Sequence, residues 1–241
     1  MNGPVWGIVL AGGGGNRFGG LKQFARLGGQ TLLQRAVEMT AARCAGVVVV
    51  LPAGHDWPAS RARITTAVGG ATRAESVRSG LAALPAEAQF VVITDAAHPL
   101  ASSSLFEKVI EAVRDGADGA LPGLPLTDAI KRLESLDGPG VGGLLGLAGP
   151  TTAAGGSISA QMPMAFRLVA LLGAHQRIGD AVEDSAMVTA DGGRVVIVPG
   201  EPTNVHVTTP AELAIAEALL PLVPAGPAAP VLTMSPAADP G

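Results

Sequence analysis

The chain has 241 residues, 48% of them hydrophobic and 15% charged, which is enough for a sizeable core and excludes a disordered class. Its formal net charge is −4, with five Phe, two Trp and no Tyr, and no Lys/Arg run, so a nucleic-acid partner held by basic patches and base stacking is disfavoured. An anionic small substrate stays compatible, because a few local cations and backbone amides can hold it against a negative net charge.

Val5-Trp6-Gly7-Ile8-Val9-Leu10 reads as a buried strand that runs directly into Ala11-Gly12-Gly13-Gly14-Gly15-Asn16-Arg17-Phe18-Gly19-Gly20. Leu32, Leu33, Ala36, Val37 and Met39 then recur at helical spacing, and Cys44 falls in the same apolar pattern. Further strands are expected at Val47 to Leu51, Phe90 to Ile93, near Gly119-Ala120-Leu121 and at Arg194 to Val198. Ser104 with Glu107 and Thr209-Pro210 with Glu212 are capping-box signatures, opening helices that run to about Arg114 and Leu220. Continuous apolar strands alternating with helices predict a mostly parallel sheet covered on both faces, with ligands bound beyond the carboxyl ends of its strands. Residues 135–160, rich in Gly, Leu, Ala and Thr, read as a loop or protruding arm, and residues 221–241, rich in Pro and Ala, as a disordered tail.

Cys44 is the single cysteine, which rules out an internal disulfide or a cysteine cluster for zinc and reads as a small buried hydrophobe. Met1 to Leu10 carries no basic n-region, and no run of twenty apolar residues occurs, so a reduced, cytoplasmic setting without a membrane is expected. His55 and His175 fall in loop-like segments and are expected to face solvent, and no His/Asp/Glu spacing suggests a zinc site.

Glycines in a row after a strand leave bare amides that can cradle phosphate oxygens, and Arg17 and Lys22 follow at once to neutralise them. The loop is not a Walker P-loop, because Lys22 follows Leu21, and it fits the dinucleotide glycine fingerprint in no frame. The bland alternative is a flexible glycine loop flanked by surface cations.

What remains is Leu-Ala-Gly-Gly-x-Gly-x-Arg-x-Gly from Leu10 to Gly19, then Lys22-Gln23-Phe24. This pattern resembles the signature loop of sugar-phosphate and polyol-phosphate nucleotidyltransferases, in the branch that acts on methylerythritol phosphate or ribitol phosphate. Further segments resemble the 2-C-methyl-D-erythritol 4-phosphate cytidylyltransferase family in order: Gly69-Gly70-Ala71-Thr72-Arg73-Ala74-Glu75-Ser76, Thr94-Asp95-Ala96-Ala97-His98-Pro99, Asp128-Ala129-Ile130-Lys131, Gln161-Met162-Pro163, Glu183-Asp184-Ser185-Ala186 and Asn204-Val205-His206-Val207-Thr208-Thr209-Pro210. The resemblance covers about residues 5–220.

The resemblance implies a three-layer α/β sandwich around a mostly parallel twisted sheet, Rossmann-like and similar to the glycosyltransferase-A fold. It implies one nucleotidyltransferase domain over residues 1–220, with an arm at about 133–160 that pairs two chains into a homodimer. It also implies transfer of CMP from CTP to a small phosphorylated acceptor, by default 2-C-methyl-D-erythritol 4-phosphate on the way to isoprenoid precursors, with Mg²⁺ as cofactor. A phosphate oxygen of the acceptor attacks the α-phosphorus and pyrophosphate leaves, so positioning and electrostatics do most of the work. Arg17 and Lys22 match residues that stabilise the transferring and leaving phosphates. Asp95 matches a catalytic aspartate at the Mg²⁺–triphosphate end, suited to a hard cation; the alternative for Asp95 is a helix or turn cap. Ala11, Gly12, Gly13, Gly14, Gly15 and Asn16 match the nucleotide loop. Gly69, Gly70, Arg73 and Ser76 match the cytosine-reading segment, with a plain turn and helix start, or a surface ion pair for Arg73, as alternatives. His98, Asp128 and His206 match acceptor-binding positions.

On that acceptor side the chain departs from the family: His98 stands for an Arg, Ala129 for a Thr and His206 for a Lys, and no Arg or Lys occurs between Leu133 and Phe166. Three readings stay open: a methylerythritol phosphate cytidylyltransferase, a relative using another phosphate or a phosphonate, and a non-catalytic nucleotide-binding paralogue.

Overall fold

The computed structural model describes residues 3–13, 17–57, 63–134, 147–152, 155–179 and 183–223. Strand β1 (Val5–Leu10) leads through the glycine loop and a 3₁₀ turn at Lys22–Phe24 to the small hairpin β2 (Arg26–Leu27) and β3 (Gln30–Thr31). Helix α1 (Leu32–Ala41) follows, opened by a capping box between Thr31 and Gln34. Next come β4 (Gly46–Leu51), β5 (Ile64–Val68), α2 (Arg73–Ala82), β6 (Phe90–Asp95), α3 (Ser103–Arg114) and β7 (Gly119–Pro125). The remaining elements are β8 (Ile130–Glu134), β9 (Leu147–Thr152), β10 (Ile158–Ala160), β11 (Met164–Arg167), α4 (Leu168–Arg177), α5 (Asp184–Ala190), β12 (Val195–Pro199) and α6 (Pro210–Leu219).

β1 lies at the centre of the main sheet, parallel to β4 on one side and β6 on the other, and β5 extends the β4 side in parallel. On the far side β11 enters antiparallel between β6 and β7, and β12 closes the sheet parallel to β7. The mostly parallel sheet is thus present, with β10 and β11 as its antiparallel members.

Both faces are covered, and strand alternation sorts the side chains between them. Val48 and Val50 face one side with Ile8, Val91 and Ile93, packed on Val77 and Leu81 of α2, Leu171 and Ala174 of α4 and Met187 of α5. Val47, Val49 and Leu51 face the other side, against Leu33, Ala36 and Val37 of α1 and Ala216 of α6. Phe106, Val109 and Val113 of α3 cover Phe90 and Val92 beside them. Three layers follow, helix on sheet on helix.

Local details differ from the sequence reading. Helix α3 is capped by Ser102, whose hydroxyl accepts from the Leu105 amide, and it opens one residue before the Ser104–Glu107 box. Glu107 is paired instead with Arg43 at 2.9 Å. The Thr209–Glu212 box is present as expected, with Pro210 at the first turn. Cys44 sits in a bend after α1 has ended at Ala41, and burial pushes its thiol up to about 12.

The stretch read as a loop or arm carries β9, which pairs antiparallel with β8 at its start, Ile130 opposite Thr152. Residues 135–146 and 153–154 lie outside the described residues, whereas Ile158–Ala160 belongs to the main sheet as β10. Leu219, Leu220 and Val223 pack on the α1 side of the core, so the described chain continues past 220 as a helical turn; residues 224–241 of the expected tail lie outside it.

Candidate active site

The register of the central strands gathers the site. Leu10 pairs with both Val50 and Asp95, and Leu51 pairs with Val68, so β1, β4, β5 and β6 end together at one rim. From there the chain continues as Ala11-Gly12-Gly13, Gly69-Gly70 and Ala96-Ala97. A cleft of about 310 Å³ opens at this rim, lined among others by Gly12, Gly13, Lys22, Gly70, Ser76 and Asp95. Ala11, Arg73, Thr72 and Gln23 line it too.

The steric case for glycine lies on the second loop: a Cβ on Gly70 would stand 2.3 Å from the Glu75 Cβ, and one on Gly69 would stand 3.1 Å from the Ser76 Oγ. A Cβ on Gly12 would meet the Gly69 Cα at 3.6 Å, ordinary contact, so the two loops lie side by side at the cleft. Gln23 fastens the glycine loop from beneath: it is buried, and its Nε2 donates to the Ala11 carbonyl at 2.9 Å. Sequence reasoning gave Gln23 no role; a polar side chain one position after a site lysine, able to reach back to a strand end, was the available signal.

On the other wall Thr72 and Glu75 form a capping box that starts α2 at Arg73. The Ser76 hydroxyl donates to the Thr72 carbonyl at 3.0 Å and accepts from the Gly70 amide at 3.2 Å. One oxygen lone pair is therefore uncommitted among the described residues. Arg73 Nη1 donates to Asp184 Oδ2 at 2.5 Å, and His175 Nε2 lies 3.0 Å from Asp184 Oδ1. Burial pushes the Asp184 carboxyl up, but the His175 hydrogen bond and the Arg73 charge outweigh it and leave it below the ordinary range. His175 thus lies buried within α4 and does not face solvent; its partner comes from α5, an approach no local pattern signals. His55 is exposed and stacks on Phe24.

At the floor, Lys22 Nζ donates to the Val207 carbonyl at 3.1 Å. Burial lowers the Lys22 pKa, Arg17 adds to this, and Asp95 and Glu212 oppose it. Arg17 is exposed and is not among the residues lining the cleft. Gly14, Gly15 and Asn16 lie outside the described residues.

Asp95 ends β6. Its Oδ1 accepts from the Ala97 amide at 3.0 Å and meets His98 Nδ1 at 2.7 Å. The turn-cap alternative is therefore realised through Oδ1, while among the described residues Oδ2 has no hydrogen-bond partner and is left for the cleft. Burial pushes the Asp95 carboxyl up, but His98, His206 and Lys22 together hold it well below the usual carboxylate range. It stays an anion at any ordinary pH.

Beyond His98 a second hollow of about 400 Å³ opens, lined by His98, Gln161, Asn204, His206 and Glu212 among others. His98 and His206 stack face to face, centroids 4.6 Å apart and planes 4° from parallel. Burial, and then the neighbouring His98, lower the His206 pKa. The segment carrying His206 is well anchored: the Val207 amide donates to the Ala97 carbonyl at 2.8 Å, and Asn204 Nδ2 donates to the Met162 carbonyl at 2.6 Å. Among the described residues no Lys or Arg lines this hollow. Asp128 is exposed between β7 and β8 and lines neither hollow. The fold brings Asp95, His98 and His206 together, a grouping that no spacing in the sequence signals.

Comparison with known proteins agrees with the geometry. The sequence profile of the family described as 2-C-methyl-D-erythritol 4-phosphate cytidylyltransferase matches residues 5–221. A bifunctional enzyme IspD/IspF of Anaeromyxobacter dehalogenans is 40% identical, over 90% of this chain and 57% of that one. The chain thus spans somewhat more than half the length of its bifunctional relatives. A 2-C-methyl-D-erythritol 4-phosphate cytidylyltransferase of Streptomyces avermitilis is 38% identical, over 88% of this chain and 90% of that one. The crystal structure of the Thermus thermophilus protein of that same description superposes with a TM-score of 0.74 at 30% identity, covering 91% of this chain and 98% of that one.

Proposed function

The chain belongs to the 2-C-methyl-D-erythritol 4-phosphate cytidylyltransferase family, and from that footing we propose that it transfers CMP from CTP to a polyol phosphate, by default 2-C-methyl-D-erythritol 4-phosphate. A phosphate oxygen of the acceptor forms the new bond to the α-phosphorus. The bond from the α-phosphorus to its bridging oxygen breaks, and pyrophosphate leaves with the electron pair. The observation that carries this reading is the convergence of Gly12, Gly13, Lys22, Ser76 and Asp95 on one cleft at the strand ends.

In this reading the bare amides of Gly12 and Gly13 and the Lys22 ammonium hold the triphosphate, where fixed donors stabilise charge without reorganising. Arg17, exposed at the loop's end, adds its charge as the loop takes up nucleotide. Gly69, Gly70 and Ser76 face the base, and the remaining Ser76 lone pair accepts from the exocyclic amine of cytosine. Arg73, steadied by Asp184, borders the same pocket.

Mg²⁺ suits the donor set: Asp95 is a fixed anion with one oxygen uncommitted among the described residues, and a hard cation takes one or two such carboxylates plus phosphates. Bound there, it would neutralise charge on the triphosphate. The acceptor then lies toward His98 and His206, on the far side of Asp95. That no Lys or Arg is among the described residues lining that hollow favours, as a second reading, a different phosphate or a phosphonate as acceptor.

A homodimer joined through the β8–β9 ribbon, and a cytoplasmic setting, complete the proposal; among the described residues no helix is long and apolar enough to cross a membrane. Pyrophosphate release from CTP across a panel of acceptor phosphates tests the assignment.

A further inference from the structure

We propose that His175 is a positioning residue for the nucleotide: through Asp184 it sets the pose of Arg73, and so the affinity of the cleft for CTP, without touching the nucleotide itself. The three side chains form a relay, with His175 Nε2 3.0 Å from Asp184 Oδ1 and Arg73 Nη1 2.5 Å from Asp184 Oδ2. The His175 and Asp184 side chains are 3% and 1% exposed, and Arg73 is 34% exposed. Of the three, Arg73 alone lines the cleft. What occupies the cleft rests on the transferase reading above; the relay rests on the geometry.

A carboxylate only accepts hydrogen bonds, so the hydrogen of the His175–Asp184 bond sits on Nε2. Nδ1 is buried and has no hydrogen-bond partner among the described residues. A buried polar atom left unpaired is destabilising, so packing alone would be served better by an apolar side chain. What the imidazole adds is the Nε2–H aimed at Asp184. The helix that carries it is held firmly, because Leu171 and Ala174 of α4 pack in one cluster with Val77 and Leu81 of α2 and Met187 of α5.

Asp184 is fixed from two directions. Its backbone opens α5 behind the Glu183 cap, whose carboxylate accepts from the Ser185 and Ala186 amides. Its Oδ1 is engaged by His175, which leaves Oδ2 to Arg73. Burial pushes the Asp184 carboxyl up, and the His175 hydrogen bond, ahead of the Arg73 charge, brings it below its ordinary range. Without the Nε2–H, a buried carboxylate oxygen would lose its donor and the carboxylate would be free to rotate. Arg73 would then have a less directed partner, and binding CTP would carry the cost of ordering its guanidinium.

The test measures CTP binding by calorimetry with Mg²⁺, and kcat separately at saturating CTP, in full-chain variants. His175→Leu removes the donor and keeps the bulk; His175→Asn keeps an amide that stops short of Asp184; His175→Gln places an amide N–H near the Nε2 position. Loss of a hydrogen bond to a charged group predicts that the first two each bind CTP about tenfold more weakly. Their kcat should stay within about twofold of the parent, since the reacting end is untouched, and His175→Gln should recover most of the affinity. In an Arg73→Ala background, where the relay has lost its end, His175→Leu should change CTP affinity less than about twofold. Should His175→Leu not fold, His175→Asn carries the same comparisons. Unchanged affinity in these two, no recovery in His175→Gln, an equal loss in the Arg73→Ala background, or failure of all three variants to fold would overturn the proposal. A parent chain that binds no CTP would overturn the cytidylyltransferase reading as well, whereas parent binding that the variants leave unchanged overturns this inference alone.

Discussion

Arg73 on the rim of the nucleotide cleft is held by Asp184, 2.5 Å away at the start of α5, and Asp184 is buried while Arg73 is about a third exposed. This ion pair ties α2 to α5 across the helix layer, and His175 of α4 closes the cluster. Breaking a fully buried pair costs about 3–5 kcal/mol. Exposure of Arg73 reduces that, so Asp184→Asn should lower unfolding stability by about 2 kcal/mol in urea titration. It should also raise the KM for CTP more than it lowers kcat, since Arg73 would lose its anchor but the reacting end would not.

The same carboxylate gives a pH dependence. The folded pKa of Asp184 lies below its ordinary value of about 3.9. Its contribution to stability is therefore complete above about pH 4 and is lost as pH falls through the folded value. Urea midpoints measured between pH 6 and pH 2 should fall less steeply at the acid end in Asp184→Asn than in the parent chain. Equal acid slopes would show that the cluster does not carry this charge.

Lys22 is half-buried, and among the described residues its ammonium makes one hydrogen bond, to the Val207 carbonyl. Lys22→Ala should leave the thermal midpoint within a few degrees of the parent. Removing one fixed donor at a transferring phosphate costs about 3 kcal/mol of barrier, which is roughly a hundredfold in kcat. Single-turnover rates with saturating CTP check this, and full turnover in the variant would remove Lys22 from the mechanism.

Ser76 offers the base an acceptor, because its proton is committed to the Thr72 carbonyl. Cytosine presents an amine to such an oxygen and uracil presents another oxygen. An unmade hydrogen bond of this kind is worth about 1–3 kcal/mol, so Ser76→Ala should reduce the preference for CTP over UTP by about tenfold in calorimetric titration. Unchanged discrimination would mean that the base is read elsewhere.

Much of this was legible in the sequence, and the reasons for the gaps are physical. β1, β4 and β6 announce themselves because strands buried on both faces are continuously apolar. β5 does not: it is an edge strand, Ile-Thr-Thr-Ala-Val, with Thr65, Thr66 and Val68 exposed, so it shows neither a continuous apolar run nor a clean alternation. The glycine loop and Asp95 were readable from order along the chain, since each sits where its own strand ends, and Lys22 follows that loop in a 3₁₀ turn. His175 and the Asp95–His98–His206 grouping were not, because their partners arrive from elements distant in sequence. His206 is brought to His98 by tertiary contacts such as the Val207–Ala97 backbone bond, which have no local spacing.

The β8–β9 ribbon stands apart from the main sheet as its own two-stranded unit, and an isolated two-stranded pair is marginal in water. Pairing with a second chain would add cover to it. Light scattering at micromolar concentration should therefore return twice the mass of the 24.0 kDa chain. A monomer would leave the ribbon without the role proposed for it.

The most direct test of the cytidylyltransferase assignment is pyrophosphate release measured with each of CTP, UTP, ATP and GTP, with Mg²⁺, and with and without an acceptor panel headed by 2-C-methyl-D-erythritol 4-phosphate. The assignment predicts release from CTP above the other three, dependent on an added acceptor phosphate and lost in Lys22→Ala. Release that is equal for all four nucleotides, or absent with CTP and every acceptor, would contradict it.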